Sequence, residues 1–352
     1  YQQAARQIGE LKPDAVVVIT PHSVMYQDYI HISPGSGAVG NLSRFRDYKT
    51  SIEVDYDSEL VNLIEKQAAK AGLAAGTMGE RDKQLDHGTM VPLYFINQYL
   101  KNYRLVRIGI SGLTLLEHYR FGKCIREAAA ELSRRVVVVA SGDLSHKLKQ
   151  DGPYGYAPEG PDFDKQITQA MASGDFQLFL EFKEDFAEAA GECGLRSFII
   201  MAGTLDGITV DSELLSYEGP FGVGYAVASF LPVSIIRKTE SPIVNLARTS
   251  LESYVHDGKL ISLPTGLPAN LTDQRAGVFV SIKKAGHLRG CIGTINPVED
   301  TIAEEVIRNA VSAGTCDPRF EPITSAELDK LVYSVDVLGE PEPISSIAEL
   351  DV

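Results

Sequence analysis

At 352 residues the chain is long for one hydrophobic core and comfortable for two. Its hydrophobic share of 44% and charged share of 23% are those of an ordinary globular protein, and no run approaches the ~20 apolar residues that cross a bilayer. A net charge of -14 argues against nonspecific nucleic-acid binding, which needs clustered Lys and Arg.

Residues 4–11 predict a helix that Lys12-Pro13-Asp14 ends, followed by Ala15-Val16-Val17-Val18-Ile19-Thr20, a β-branched run suited to a strand covered on both faces. Asp57 or Ser58 caps a helix carrying Leu60, Val61, Ile64 and Ala68 at helical spacing, with Gly72 placed to end it. Residues 104–110 predict a strand, 115–132 a long helix, and Val136-Val137-Val138-Val139-Ala140 a further strand. This alternation favours an α/β fold with a mostly parallel sheet flanked by helices. A buried helix over 195–205 and two strands around Glu218-Gly219-Pro220 close a first domain at 1–232, and 233–242 reads as a linker between prolines. Residues 243–352 predict a smaller α+β domain: a helix at 243–255, a strand at 277–282, a loop at 283–287, a helix at 301–313 and a strand at 332–337. The chain opens at Tyr1 and ends at Val352 soon after Pro341 and Pro343, so both ends are expected to be cut.

Open α/β sheets bind ligands beyond the carboxyl ends of their strands. Two strands here end in catalytic residue types, Thr20-Pro21-His22-Ser23 and Ser141-Gly142-Asp143-Leu144-Ser145-His146, and Asp86-His87-Gly88 opens a helix between them in sequence. Neutral imidazole is both a metal ligand and a general base near neutral pH. A lone loop histidine is more often a capping or surface group, but three, two of them directly after buried strands, outweigh that reading. His31, His118 and His256 lack this placement and take no role. Glu192, in Gly191-Glu192-Cys193-Gly194, is either a first-turn acid favouring a helix dipole or the carboxylate of a metal site. The Cys193 thiolate competes for the same position. The four cysteines, Cys124, Cys193, Cys291 and Cys316, form no CxxC pair; that excludes a zinc ribbon and makes a reducing cytoplasm the default. A hydrolase using Ser145 lacks the Gly-x-Ser-x-Gly elbow.

These pieces, in this order across 1–232, resemble the LigB-type class III extradiol dioxygenases and the related Memo-like proteins. The resemblance implies a non-haem Fe(II) site opening a catechol-type ring. His22 would be the second histidine ligand and Glu192 the carboxylate, or Cys193 in its place, since Memo-like proteins have a cysteine there. His146 would be the acid/base histidine supported by Asp143, and His87 another pocket histidine. The family's first histidine ligand lies on an initial strand with no counterpart here, so this fragment is expected to form an incomplete site. Residues 243–352 resemble the AMMECR family (protein A of the AmmeMemoRadiSam system) through Leu288-Arg289-Gly290-Cys291-Ile292-Gly293, Asp317-Pro318-Arg319-Phe320-Glu321-Pro322 and Glu327-Leu328, with the domain's C-terminal part missing. In that motif Gly290 and Gly293 permit a tight turn or close packing and Cys291 is a small buried residue, or else Arg289 binds an anion and Cys291 acts as a thiol.

Two functions follow from the resemblance. One is an iron-dependent dioxygenase acting on a small aromatic diol. The other is a metal-binding or interaction module that works with a radical SAM partner on a macromolecule or metabolite. Glu192 facing the metal favours the first, Cys193 facing it the second. Neither a nucleic acid nor a membrane is an expected partner, and a homo-oligomer is compatible with such a chain.

Overall fold

The computed structural model describes residues 1–81 and 84–339. The expectation about Pro341 and Pro343 therefore lies outside the described residues. The chain divides into two compact units, the first made of Tyr1–Ile208 and Ser212–Ser229, the second of Thr209–Asp211 and the chain from Phe230 onward.

The first unit is built on a parallel three-stranded sheet ordered Arg104–Gly109, Ala15–Thr20, Val136–Ala140. The central strand is buried along its whole length, which explains its unbroken run of apolar β-branched residues. One face packs on the helices Ser58–Lys70 and Leu115–Glu131, in a cluster that includes Val17, Ile19, Ile64, Phe121 and Ile125. The other places Val16 and Val18 with Met90 and Leu93 of the helix His87–Ile96. The helix starts follow from local chemistry. Asp57 accepts the Leu60 N–H at 3.1 Å, Thr114 and Glu117 form a reciprocal capping box, and Asp86 accepts the Thr89 N–H at 3.0 Å.

Helices Glu159–Ser173, Gln177–Leu180 and Glu184–Ala190 and the short strands Ile30–His31, Gly37–Asn41, Ser51–Asp55 and Ala75–Gly76 add to the predicted elements. The hairpin strands Val210–Glu218 and Tyr225–Pro232 pair with each other.

In the second unit an antiparallel sheet runs in the order His287–Gly293, Val278–Lys284, Leu331–Val337. Val278, Val280 and Ile282 alternate into a core shared with Leu251 of the helix Pro242–Asp257 and with Val306 and Ala310 of the helix Ile302–Thr315. Within the segment 233–242, Val233–Thr239 is helical, with Val233 buried and Arg237 reaching Glu252 at 3.1 Å and Asp329 at 3.5 Å. Of the two readings of the Leu288–Gly293 motif, a tight turn or close packing, the structure shows the second, within an edge strand. A Cβ on Gly290 would stand 2.1 Å from the Ala313 carbonyl oxygen, so its glycine serves the close packing of strand on helix. Among the described residues no helix is long and apolar enough to cross a membrane.

His118 is fully buried in the first unit. Its Nδ1 donates to the Thr114 carbonyl at 2.9 Å and its Nε2 accepts the Ser111 N–H at 3.2 Å, so it is a structural residue. Burial lowers its pKa from 6.5 to about 4. The unfolded chain therefore binds the extra proton between these values, so this contribution is intact above pH 6.5 and is lost as pH falls towards 4, by up to ~3 kcal/mol. Urea unfolding of the full chain at several pH values should show this slope, and His118→Gln should flatten it between pH 6.5 and 4. An unchanged slope in the variant would assign the dependence to other groups.

Candidate metal centre

The central strand ends at Thr20, whose buried hydroxyl donates to Asp86 Oδ1 at 2.7 Å and accepts the His22 N–H at 3.2 Å. Asp86 Oδ2 accepts the Thr89 hydroxyl at 2.8 Å and lies 3.7 Å from the buried Arg107 guanidinium. One carboxylate thus ties the turn after the strand to the start of the helix that carries His87. It brings the two imidazoles together, with ring centroids 4.0 Å apart. Burial, reinforced by His87, lowers the His22 pKa, so this ring is neutral near pH 7; the charges of Asp86 and Asp143 act in the opposite direction.

The strand Val136–Ala140 delivers the second segment. Gly142 sits at φ 154°, and a Cβ there would stand 2.4 Å from the Gly194 Cα. That approach lets the Asp143 carbonyl accept the N–H groups of Gly194 at 3.0 Å and Cys193 at 3.4 Å, while the Asp143 N–H donates to the Cys193 sulfur at 3.2 Å. Three residues follow from this registry. The side-chain donor atoms of Asp143, His146 and Cys193 all lie within 4.8 Å of one another, the group of metal-ligand type that converges among the described residues. His146 Nε2 is 3.5 Å from Asp143 Oδ2 and is buried with no hydrogen-bond partner. Burial pushes the Cys193 thiol up to about 12, and the Asp143 and Glu192 charges add to the effect.

Glu192 lies just ahead of the helix Leu195–Thr204 and outside its first turn; its Oε2 accepts the Leu195 N–H at 2.6 Å. Burial raises its pKa against the Leu195 bond and the charges of Arg196 and His146. Of the residues named from the resemblance, Cys193, His146 and Asp143 bring their donor atoms together, and His22 lies tilted against His87, where it feels the charges of Asp143 and His146. Ser145 is fully buried, donates to the Ala190 carbonyl at 2.8 Å and accepts the Lys147 N–H at 2.9 Å, which leaves no nucleophile.

Four rings near these groups had no signal in the sequence. Phe45 meets His87 at 5.5 Å between centroids and Tyr154 meets His146 at 4.9 Å. The Asp143 charge raises the phenol pKa of Tyr1 and of Tyr225, after the larger effect of burial on each. All lie in loops or at element ends, where no periodicity marks them.

In the second unit Arg289 already has its anion. Its Nε and Nη2 donate to the two Glu327 oxygens at 3.1 Å each, its Nη1 donates to the Glu321 carbonyl at 2.8 Å, and Lys284 adds a bond to Glu327 at 2.8 Å. The Arg289 guanidinium holds the Glu327 carboxyl at about 2. The Cys291 N–H donates to Asp317 Oδ2 at 2.8 Å, Ser281 Oγ is 3.1 Å from the Cys291 sulfur, and Arg319 clamps Asp317 at 2.9 and 2.7 Å. A Cβ on Gly293 would meet the Phe279 ring at 2.3 Å. The three C-terminal motif pieces are thus joined in one hydrogen-bonded frame.

Comparison with known proteins agrees with this two-part architecture. Residues 1–228 match the model of the catalytic LigB subunit of aromatic ring-opening dioxygenase, and residues 244–352 match AMMECR1. Protein CA_C1420 of Clostridium acetobutylicum is 42% identical over 369 residues, covering 97% of this chain and 79% of that protein. A Thermotoga maritima protein is 46% identical over 113 residues, 32% of this chain and 65% of its own length. Among solved structures, JW3007 of Escherichia coli K12 is 15% identical with a TM-score of 0.48, over 66% of this chain and 92% of that one. The chain belongs to the family of the catalytic LigB subunit of aromatic ring-opening dioxygenases, with an AMMECR1 domain fused behind it.

Proposed function

We propose that the first unit binds a transition metal through Cys193, His146 and Asp143, and works as a metal-binding module of the LigB family without a two-histidine, one-carboxylate ring-opening centre. The observation that carries this is the convergence of the Cys193 sulfur with donor atoms of His146 and Asp143, while a Glu192 oxygen is held by the Leu195 N–H. The residues fit an ion: a buried imidazole nitrogen lacks a partner and three donors of different chemistry converge on the same space. Imidazole and thiolate with a carboxylate suit Fe(II) and Zn(II) alike. A bound ion would supply Lewis acidity and open coordination positions for a substrate.

The chain's own groups define the rest. Cys193 must give up its proton to ligate, and the registry with Asp143 keeps its sulfur in place when it does. His22 stays neutral beside the cluster and is available to take a proton. In this reading the module serves the fused AMMECR1 domain and a partner of the radical SAM class, acting on a macromolecule or metabolite.

The second reading is ring opening of a catechol-type diol with Fe(II), favoured by the His22–His87 pair and the aromatic rings beside the cluster. Here His146 would take a proton from a substrate hydroxyl, with Asp143 stabilising the imidazolium. The two readings differ in what His146 Nε2 does, since a nitrogen bound to an ion cannot act as the base.

Anaerobic reconstitution of the full chain followed by elemental analysis should give one equivalent of metal. Cys193→Ala and His146→Ala should each lose it. Glu192→Ala should keep it while losing about 1 kcal/mol of stability through the lost hydrogen bond to Leu195. Gly142→Ala should lose metal and cost ~1–3 kcal/mol by forcing the two loops apart. Metal retained by Cys193→Ala but lost by Glu192→Ala would restore the carboxylate as ligand. An iron-loaded chain that opens catechol under air, with the activity abolished in His146→Ala, would establish the second reading.

A further inference from the structure

In the second unit, Val280, Ile282 and Ile292 belong to the core packed by the helices, so their strand neighbours Ser281 and Cys291 lie on the other face of the sheet. These two residues are paired across the strands, and the Ser281 hydroxyl donates to the Cys291 sulfur at 3.1 Å. A thiol sulfur is a weak acceptor and a thiolate a stronger one, so this bond favours the form that reacts. Cys291 is half-buried, and its peptide is fixed at both ends. The N–H donates to Asp317 Oδ2 at 2.8 Å and the carbonyl accepts Arg319 Nη2 at 3.1 Å. Arg319 completes the group. Its Nε and Nη2 form a fork on the two oxygens of Asp317, whose side chain is itself buried. The guanidinium is thereby held in one orientation, yet its side chain stays 55% exposed and Nη1 has no partner among the described residues. The Cys291 sulfur acts on it too: after the larger effect of Asp317, its charge and its hydrogen bond help to raise the Arg319 pKa. Arg289, the cation within the motif itself, is occupied by Glu327.

An oriented, solvent-facing guanidinium beside a hydrogen-bonded thiol is an anion site next to a nucleophile. We infer that Cys291 is a nucleophilic thiol for a small carbon electrophile that carries a carboxylate, and that the Arg319 guanidinium holds the carboxylate. The thiol gives its proton to solvent and its sulfur forms a bond to the electrophilic carbon. The leaving group departs with the electron pair of the bond that breaks. Ser281 supports the thiolate, and Asp317 is a positioning residue that fixes both the Cys291 peptide and Arg319. No metal ligand of the first unit enters this step, so it is independent of the donor assignment there.

The test compares alkylation of the reduced full chain by iodoacetate, which carries the carboxylate, and by iodoacetamide, which does not. Peptide mass spectrometry follows Cys291, and 2-mercaptoethanol under the same conditions supplies the ratio of the two rates for an unassisted thiol. At Cys291 the ratio of iodoacetate to iodoacetamide rates should exceed that reference about three- to tenfold, the range for one solvent-facing charge contact. The excess should shrink in about 0.5 M sodium chloride, a result that needs no variant. Arg319→Gln should bring the ratio down to the reference, and Arg319→Lys should keep part of the excess. Ser281→Ala should slow both reagents alike and leave the ratio as it is. A role for Arg319 in the frame alone would change both rates together, without touching the ratio. A Cys291 that neither reagent alkylates, a wild-type ratio equal to that of 2-mercaptoethanol, or an excess that survives in Arg319→Gln would overturn the assignment.

Discussion

The approach of Gly142 to Gly194 is the constraint on which the candidate site depends. Two loops from distant parts of the chain touch there with no room for a side chain between them. The Asp143 peptide then exchanges hydrogen bonds with Cys193 and Gly194 through both its carbonyl and its N–H. Backbone polar groups buried at such a junction must be paired, so the loops are held in one registry by the cost of leaving these groups unsatisfied. Asp143, Cys193 and, three residues on, His146 are placed by that registry.

The electrostatics of the site follow from its depth. Burial works against charge on the Cys193 thiol and on the His22 imidazole, so both favour their neutral forms beside the half-exposed Asp143 carboxylate. A cation arriving among these groups would meet donors already gathered, and its charge would reverse the preference of the thiol. On the other side of the cluster, Asp86 and Arg107 lock the His22 turn to the His87 helix through Thr20. The site thus stands on a strand end, a helix start and a loop pinned by two glycines, all beyond the carboxyl edge of the parallel sheet.

Much of this was legible in the chain. The runs at Ala15–Thr20 and Val136–Ala140 read as strands because apolar β-branched residues without alternation imply cover on both faces. Asp57 and Asp86 announced their helices because capping is a local matter of one side chain and one or two N–H groups. What escaped depends on contacts across the fold. The strand His287–Gly293 was hidden by its glycines, which serve the packing on the Ile302–Thr315 helix and the Phe279 ring and suggest a turn when read alone. Glu192 and Cys193 are neighbours in sequence, and which of them turns to the cluster depends on the left-handed Gly191 and on the unpaired N–H groups of the following helix. Phe45 and Tyr154 sit in irregular segments where no spacing could have marked them.

The most direct test of the central claim is the identity of the atoms around the bound metal. X-ray absorption spectroscopy on the reconstituted full chain should show one sulfur scatterer at about 2.3 Å together with nitrogen and oxygen neighbours. The sulfur shell should vanish in Cys193→Ser. A wild-type spectrum with only nitrogen and oxygen in the first shell would contradict the account, because Cys193 would then not face the ion.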